Sequence, residues 1–196
     1  MSDDVLSALP ARHGHFLLES GYHTDLWLTL DALFVSPAAI APRVANLAAL
    51  LEPYSVTAVC GPLLGGAFLA EALAARMGIR FYFSEPAAAP TEDGLFNARY
   101  ELRPDLRRRV VGERVAIVDD VISAGSSVRA TAAALAAAGA VTVAVGTFLL
   151  LGSQAALHFA KYSIPVVSLT QQEFNLWPPA ECPLCLDRIP LERPVA

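Results

Sequence analysis

The sequence predicts an α/β domain built on a mainly parallel sheet of five strands. Three observations lead there. Short β-branched runs alternate with alanine- and leucine-rich stretches at helical spacing. Glycines or prolines mark most of the changeovers. The 196 residues are 55% hydrophobic and 17% charged, which suits one sizeable core and excludes a disordered chain.

The elements follow in order. Pro37–Leu51 is apolar at helical spacing, with Ser36 placed to cap it and Pro37 at its first position. Residues 55–60 read as the first core strand, ended by Gly61-Pro62. Residues 66–77 form a helix that Gly78 stops. Residues 79–83 are the second strand. The third, 114–118, lies between Gly112 and Asp119-Asp120. Residues 126–138 are a helix closed by Gly139, and 140–150 are the fourth strand. Residues 154–162 read as a helix and 165–169 as the fifth strand. Helices should cover both faces of such a sheet, and ligands should sit at the carboxyl ends of its strands.

Composition excludes several classes. The net charge of −5 gives no general attraction to nucleic acid or to an anionic membrane. Arg107 to Arg109 is a local basic run, read as a solvated face. The weakly charged stretch 130–151 has the length of a membrane span. It breaks at Gly139 and then turns β-branched, so it reads as helix, turn and strand. Three cysteines are too few for a disulfide scaffold, and the first ten residues lack the pattern of a signal peptide. The expectation is a cytoplasmic protein. Lys161 is its only lysine, so other cationic chemistry falls to arginine.

The sharpest signal is VAIVDDVISAGSSV, residues 115–128. An apolar strand leads to two carboxylates, a loop of small residues and a helix. Free N–H groups at a helix N-terminus bind phosphate, and small residues let the backbone approach it. The hydroxyls of Ser123, Ser126 and Ser127 add donors, and Asp119 and Asp120 can accept from sugar hydroxyls or hold positive charge that builds up on the ring. Helix capping alone accounts for one such residue, not for this set. An ATPase strand needs an upstream glycine-rich loop ending in lysine, and there is none.

This segment resembles the phosphoribosyl-pyrophosphate (PRPP) motif of type I phosphoribosyltransferases. GHFLLESGYHTD, residues 14–25, is similar to the N-terminal hood of orotate phosphoribosyltransferases. CGPLLGG, residues 60–66, resembles their pyrophosphate loop. ECPLCLDRIPLE, residues 181–192, is similar to the C-terminal extension of one bacterial branch.

The resemblance implies a type I phosphoribosyltransferase fold with a hood over 1–36, a core over 37–176 and a Cys-containing tail over 177–196. Asp119 and Asp120 would contact the ribose hydroxyls. Ser123, Ala124, Gly125, Ser126 and Ser127 would cradle the 5-phosphate. Gly61, Pro62, Leu63, Leu64, Gly65 and Gly66 would face pyrophosphate, and Ser20, Gly21 and His23 the base. The implied reaction transfers phosphoribosyl from PRPP to orotate or a related base in pyrimidine nucleotide biosynthesis. Mg²⁺ would ride mainly on the substrate, and the protein would be a homodimer.

Two segments depart from the family pattern. Residues 84–113 hold three prolines and no core periodicity, which predicts a lid that is poorly ordered without ligand. No cation follows the second strand, so Arg99, with Arg103 second, is the catalytic candidate for pyrophosphate. The lost lysines leave a second reading open, a non-catalytic PRPP or nucleotide regulator. Cys182 and Cys185 are half of a tetrahedral zinc site. Two tails at a two-fold axis could complete it, but the pair by itself favours reduced thiols without metal.

Overall fold

A computed structural model describes residues 11–29, 31–87 and 95–194. Strands β1 (Ala11–Leu17) and β2 (His23–Leu28) form an antiparallel hairpin within the predicted hood. Helix α1 (Pro37–Leu51) starts as expected: Ser36 is its N-cap and accepts from the Ala39 N–H at 3.4 Å. Strand β3 (Ala58–Pro62), helix α2 (Gly65–Met77) and strand β4 (Arg80–Pro86) follow. Then come β5 (Tyr100–Glu101), α3 (Pro104–Arg109), β6 (Arg114–Ile122) and α4 (Ser126–Ala137). The order ends with β7 (Val141–Leu151), α5 (Gln154–Ala160), β8 (Val166–Gln172) and α6 (Pro183–Leu186).

The main sheet has six strands in the order β5-β4-β3-β6-β7-β8. Its five long strands are parallel, as predicted; the sixth, two-residue β5, pairs antiparallel with β4. Alternation along the strands sorts the core into two layers. Val59, Ala116 and Val118 face α1 and α2, with Leu47 and Leu73 fully buried there. Ala58, Cys60, Val115 and Ile117 face α4 and α5, with Leu135 and Phe159 buried. Burial pushes the Cys60 thiol up to about 12, so it is an inert core residue. The stretch 130–151 is divided between α4 and β7, and among the described residues no helix is long and apolar enough to cross a membrane.

The sequence predicts a lid over 84–113 that is poorly ordered without ligand; the described residues 84–87 and 95–113 are held against the rest of the chain. Beyond residues 88–94, which lie outside the described ones, the segment is anchored at single points. Leu102 and Val110 are buried in the second core layer. The Phe96 N–H donates to the Ser20 carbonyl, and the Arg129 guanidinium lies 4.0 Å from the Phe96 ring centre. Tyr82 donates its hydroxyl to the Arg109 carbonyl at 2.9 Å. Isolated anchors leave no periodic trace, which is why the sequence reads as a loop.

The tail is folded onto the hairpin. His23 and Trp177 exchange backbone hydrogen bonds of 2.9 and 3.0 Å. Leu17 donates to the Glu192 carbonyl, and Glu192 donates to the His15 carbonyl at 2.7 Å.

Candidate active site

A cavity of about 740 Å³ opens at the carboxyl ends of β3 and β6, between the sheet and the hairpin. This is where a parallel sheet collects ligands. Asp119 and Asp120 lie on its floor and are both buried. They lie inside β6, which continues to Ile122, and not after its end as the sequence predicts. Thr147 of β7 donates its hydroxyl to the Asp120 carbonyl at 2.9 Å, holding the strand there.

Ser127 donates its hydroxyl to Asp119 Oδ2 at 2.9 Å, and the Asp120 N–H donates to Asp119 Oδ1. Burial first, then the Asp120 charge, push the Asp119 carboxyl well above the usual carboxylate range. The Val121 N–H donates to Asp120 Oδ1 at 2.8 Å.

The loop between β3 and α2 packs directly on this pair. A Cβ at Gly65 would overlap Asp120 Oδ2, and one at Gly66 would come within 2.8 Å of Asp119 Oδ1. The Leu63–Leu64 peptide is cis. Pro62, Leu63, Leu64 and Gly65 line the cavity. On the other side, Ser123 and Ser127 line it, and Gly125 turns the chain into α4 with φ +81°. Neither α2 nor α4 has a side-chain cap, which leaves room for an anion at their N-termini, although the Ala67 N–H of α2 already donates to the Leu64 carbonyl.

The hairpin supplies Arg12, Glu19 and residues 26–29 to the opposite wall. Glu19 had no signal in the sequence beyond its place in the hood segment. It reaches the serine loop before α4: Ser126 donates to Glu19 Oε2 at 3.5 Å and Tyr100 to Oε1 at 3.0 Å. Burial and the Glu19 charge raise the Tyr100 hydroxyl, keeping it a donor. Among the described lining residues Arg12 is the only cation, against the carboxylates of Glu19, Asp119 and Asp120.

Several expected site residues lie elsewhere. His23 is buried and faces His15 and Cys185, because the tail pairs with β2 and draws that side chain away from the cavity. Ser20 and Gly21 form the hairpin turn: Ser20 Oγ accepts from the Tyr22 N–H, and Gly21 has φ +81°. Neither lines the cavity. Arg99 and Arg103 are exposed and do not line it either. Arg99 contributes its backbone carbonyl to the Ala87 N–H, while the neighbouring Tyr100 lines the cavity. Gly61 and Gly66, the two ends of the expected pyrophosphate loop, do not line the cavity and pack on each other, where a Cβ at Gly61 would overlap the Gly66 carbonyl. Ala124, within the expected 5-phosphate loop, is buried.

The Phosphoribosyl transferase domain family matches residues 38–183. The orotate phosphoribosyltransferase of Caldanaerobacter subterraneus subsp. tengcongensis is 32% identical over 183 residues, covering 92% of this chain and 88% of the relative. This chain belongs to the phosphoribosyltransferase family. The orotate phosphoribosyltransferase of Thermus thermophilus is 33% identical over 184 residues, 91% of each chain. Solved phosphoribosyltransferases share the fold. The orotate phosphoribosyltransferase structure from Aeropyrum pernix matches with TM-score 0.61 at 21% identity, over 82% of this chain and 87% of that one. The adenine phosphoribosyltransferase structure from Thermoanaerobacter pseudethanolicus matches with TM-score 0.65 at 18% identity, over 88% and 100%. In this phosphoribosyltransferase, the pyrophosphate and PRPP loops expected from the sequence are joined through Gly65, Gly66 and the acidic pair.

Proposed function

We propose that this protein transfers the phosphoribosyl group of PRPP to orotate and releases pyrophosphate. The observation that carries this reading is the packing of Gly65 and Gly66 on Asp120 and Asp119. It puts a small-residue loop, which would take pyrophosphate, beside carboxylates that would accept from the ribose hydroxyls. The 5-phosphate would lie against residues 123–127 at the start of α4. With no lysine in the wall, the helix N-termini of α2 and α4 supply positive potential. The carboxylates on the floor hold the positive charge that develops on the ribose ring as pyrophosphate leaves. Arg12, whose guanidinium pairs with Glu192 at 2.8 Å, is the one cation among the described lining residues and would exchange that partner for the carboxylate of orotate.

Magnesium fits this site. Asp119, Asp120, Ser123 and Ser127 offer oxygens, hard ligands of the kind it prefers. Mg²⁺ would be held mainly by PRPP oxygens and water, and would neutralise diphosphate charge. The same reading includes a homodimer in the cytoplasm. Leu64 and Phe68, one turn apart at the start of α2, are 62% and 54% exposed and offer an apolar face for a second copy.

The test is pyrophosphate release on mixing the protein with PRPP, Mg²⁺ and a panel of bases. Release with orotate, and not with adenine or uracil, is expected. Tight PRPP binding with no release for any base would replace the enzyme with the regulator.

A further inference from the structure

We propose that His15, His23, Cys182 and Cys185 bind one zinc ion that fastens the C-terminal tail to the N-terminal hairpin. Each residue offers one ligand atom, and the four atoms all lie within 4.8 Å of one another. His15 Nε2 is 2.9 Å from His23 Nδ1, 3.4 Å from Cys182 Sγ and 3.8 Å from Cys185 Sγ. Cys185 Sγ is 3.3 Å from His23 Nδ1. Ordinary Zn–N and Zn–S bonds place tetrahedral ligand atoms about 3.3–3.8 Å apart. These four separations stand within about half an ångström of that polyhedron, and the other two are no longer than 4.8 Å.

Hydrogen bonding in the cluster is crowded at one atom, His15 Nε2. His15 Nδ1 lies 2.8 Å from the Ile189 carbonyl, which can only accept. Nδ1 therefore carries the proton, and Nε2 of the neutral ring has a single lone pair. Three polar atoms crowd that lone pair. A cation at their centre gives every one of them a partner. The carbonyl bond from Nδ1 is also the outer contact that fixes a metal-binding histidine in the right tautomer.

The donor set selects the metal and its role. Two thiolates and two imidazoles suit zinc, and four protein ligands close the coordination shell, as in structural sites. None of the four residues lines the cavity, so the site holds architecture and not substrate. All four come from one chain, so no second tail is needed.

Protein made in zinc-supplemented medium and purified without chelator is expected to carry about one zinc per chain. His23→Ala and Cys185→Ser are expected to lose it. If those variants do not fold, cobalt loading decides. Wild-type protein stripped of metal and given cobalt(II) is expected to show the visible bands of a tetrahedral site with thiolate charge transfer. Cys185→His should keep the tetrahedral bands and lose about half of the thiolate band, one of two thiolates being gone. Wild-type protein that holds no zinc and takes up no cobalt overturns the proposal. So does about half a zinc per chain that persists in His23→Ala, the result for four thiolates shared between two tails.

Discussion

Gly65 lies flat against the carboxylate of Asp120: a Cβ at position 65 would overlap Oδ2 and stand 2.7 Å from the carboxyl carbon. The contact joins the loop after β3 to the acidic strand β6, so either partner moves the other. Gly65→Ala is expected to lower kcat/KM by about 10²-fold, the loss typical of a displacement near 1 Å in an active site. Alanine is a good helix former at the start of α2, so circular dichroism should report a folded protein. Wild-type kinetics would show that the loop and the acidic strand move independently.

Asp119 sets stability against function. Its folded-state value stands well above the ordinary 3.8, through burial and the neighbouring Asp120. A raised acid contributes its stability in full below the unfolded value and loses it as pH rises through the folded value. Asp119→Asn removes that loss. Without ligand, the variant is expected to melt a few degrees higher than wild type at pH 7, and the gap should close by about pH 4. Turnover should fall in the same variant, because the ribose loses a charged acceptor. A melting difference that ignores pH would reject this account.

Much of this was legible in the sequence, in proportion to how local each signal is. The acidic pair, the serine loop and α4 are consecutive residues, and Ser36 with Pro37 marks α1 within one turn. The glycine loop is local too. What the sequence did not disclose comes from distant chain segments. His15 meets Ile189 across 174 positions, and Glu19 meets Ser126 across 107. No spacing rule reaches that far, so His23 looked like a base ligand and Glu19 like nothing. Arg99 had the right chemistry, but its place beside β5 leaves the guanidinium outside the cavity wall.

On the proposed placement of PRPP, Glu19 is expected to compete with the substrate's phosphate. Its carboxylate accepts from Ser126 at the loop where a phosphate would bind. An anion arriving there must displace it and endure its charge. Glu19→Gln is expected to lower the KM for PRPP several-fold and to leave kcat nearly unchanged, since only ground-state binding is altered. Steady-state kinetics with PRPP varied checks this. An increased KM would make Glu19 a helper in binding.

Arg12 and Arg99 separate by position. Arg12 lines the cavity, whereas Arg99 does not. Arg12→Ala is expected to raise the KM for orotate about tenfold or more, the loss of a charge-assisted hydrogen bond. Arg99→Ala should keep both kinetic constants within about twofold, as an exposed side chain outside the site. The reverse pattern would return the pyrophosphate role to Arg99.

The backbone bonds between His23 and Trp177 also order events during synthesis. A lone two-stranded hairpin is marginal in water. The ribosome releases β1 and β2 first, and the residues that complete them emerge more than 150 positions later. Until then the hairpin wall of the cavity lacks these bonds. Shortening the protein before residue 177 should therefore give a folded sheet that has lost its substrate, a defect that purification yield alone would not reveal.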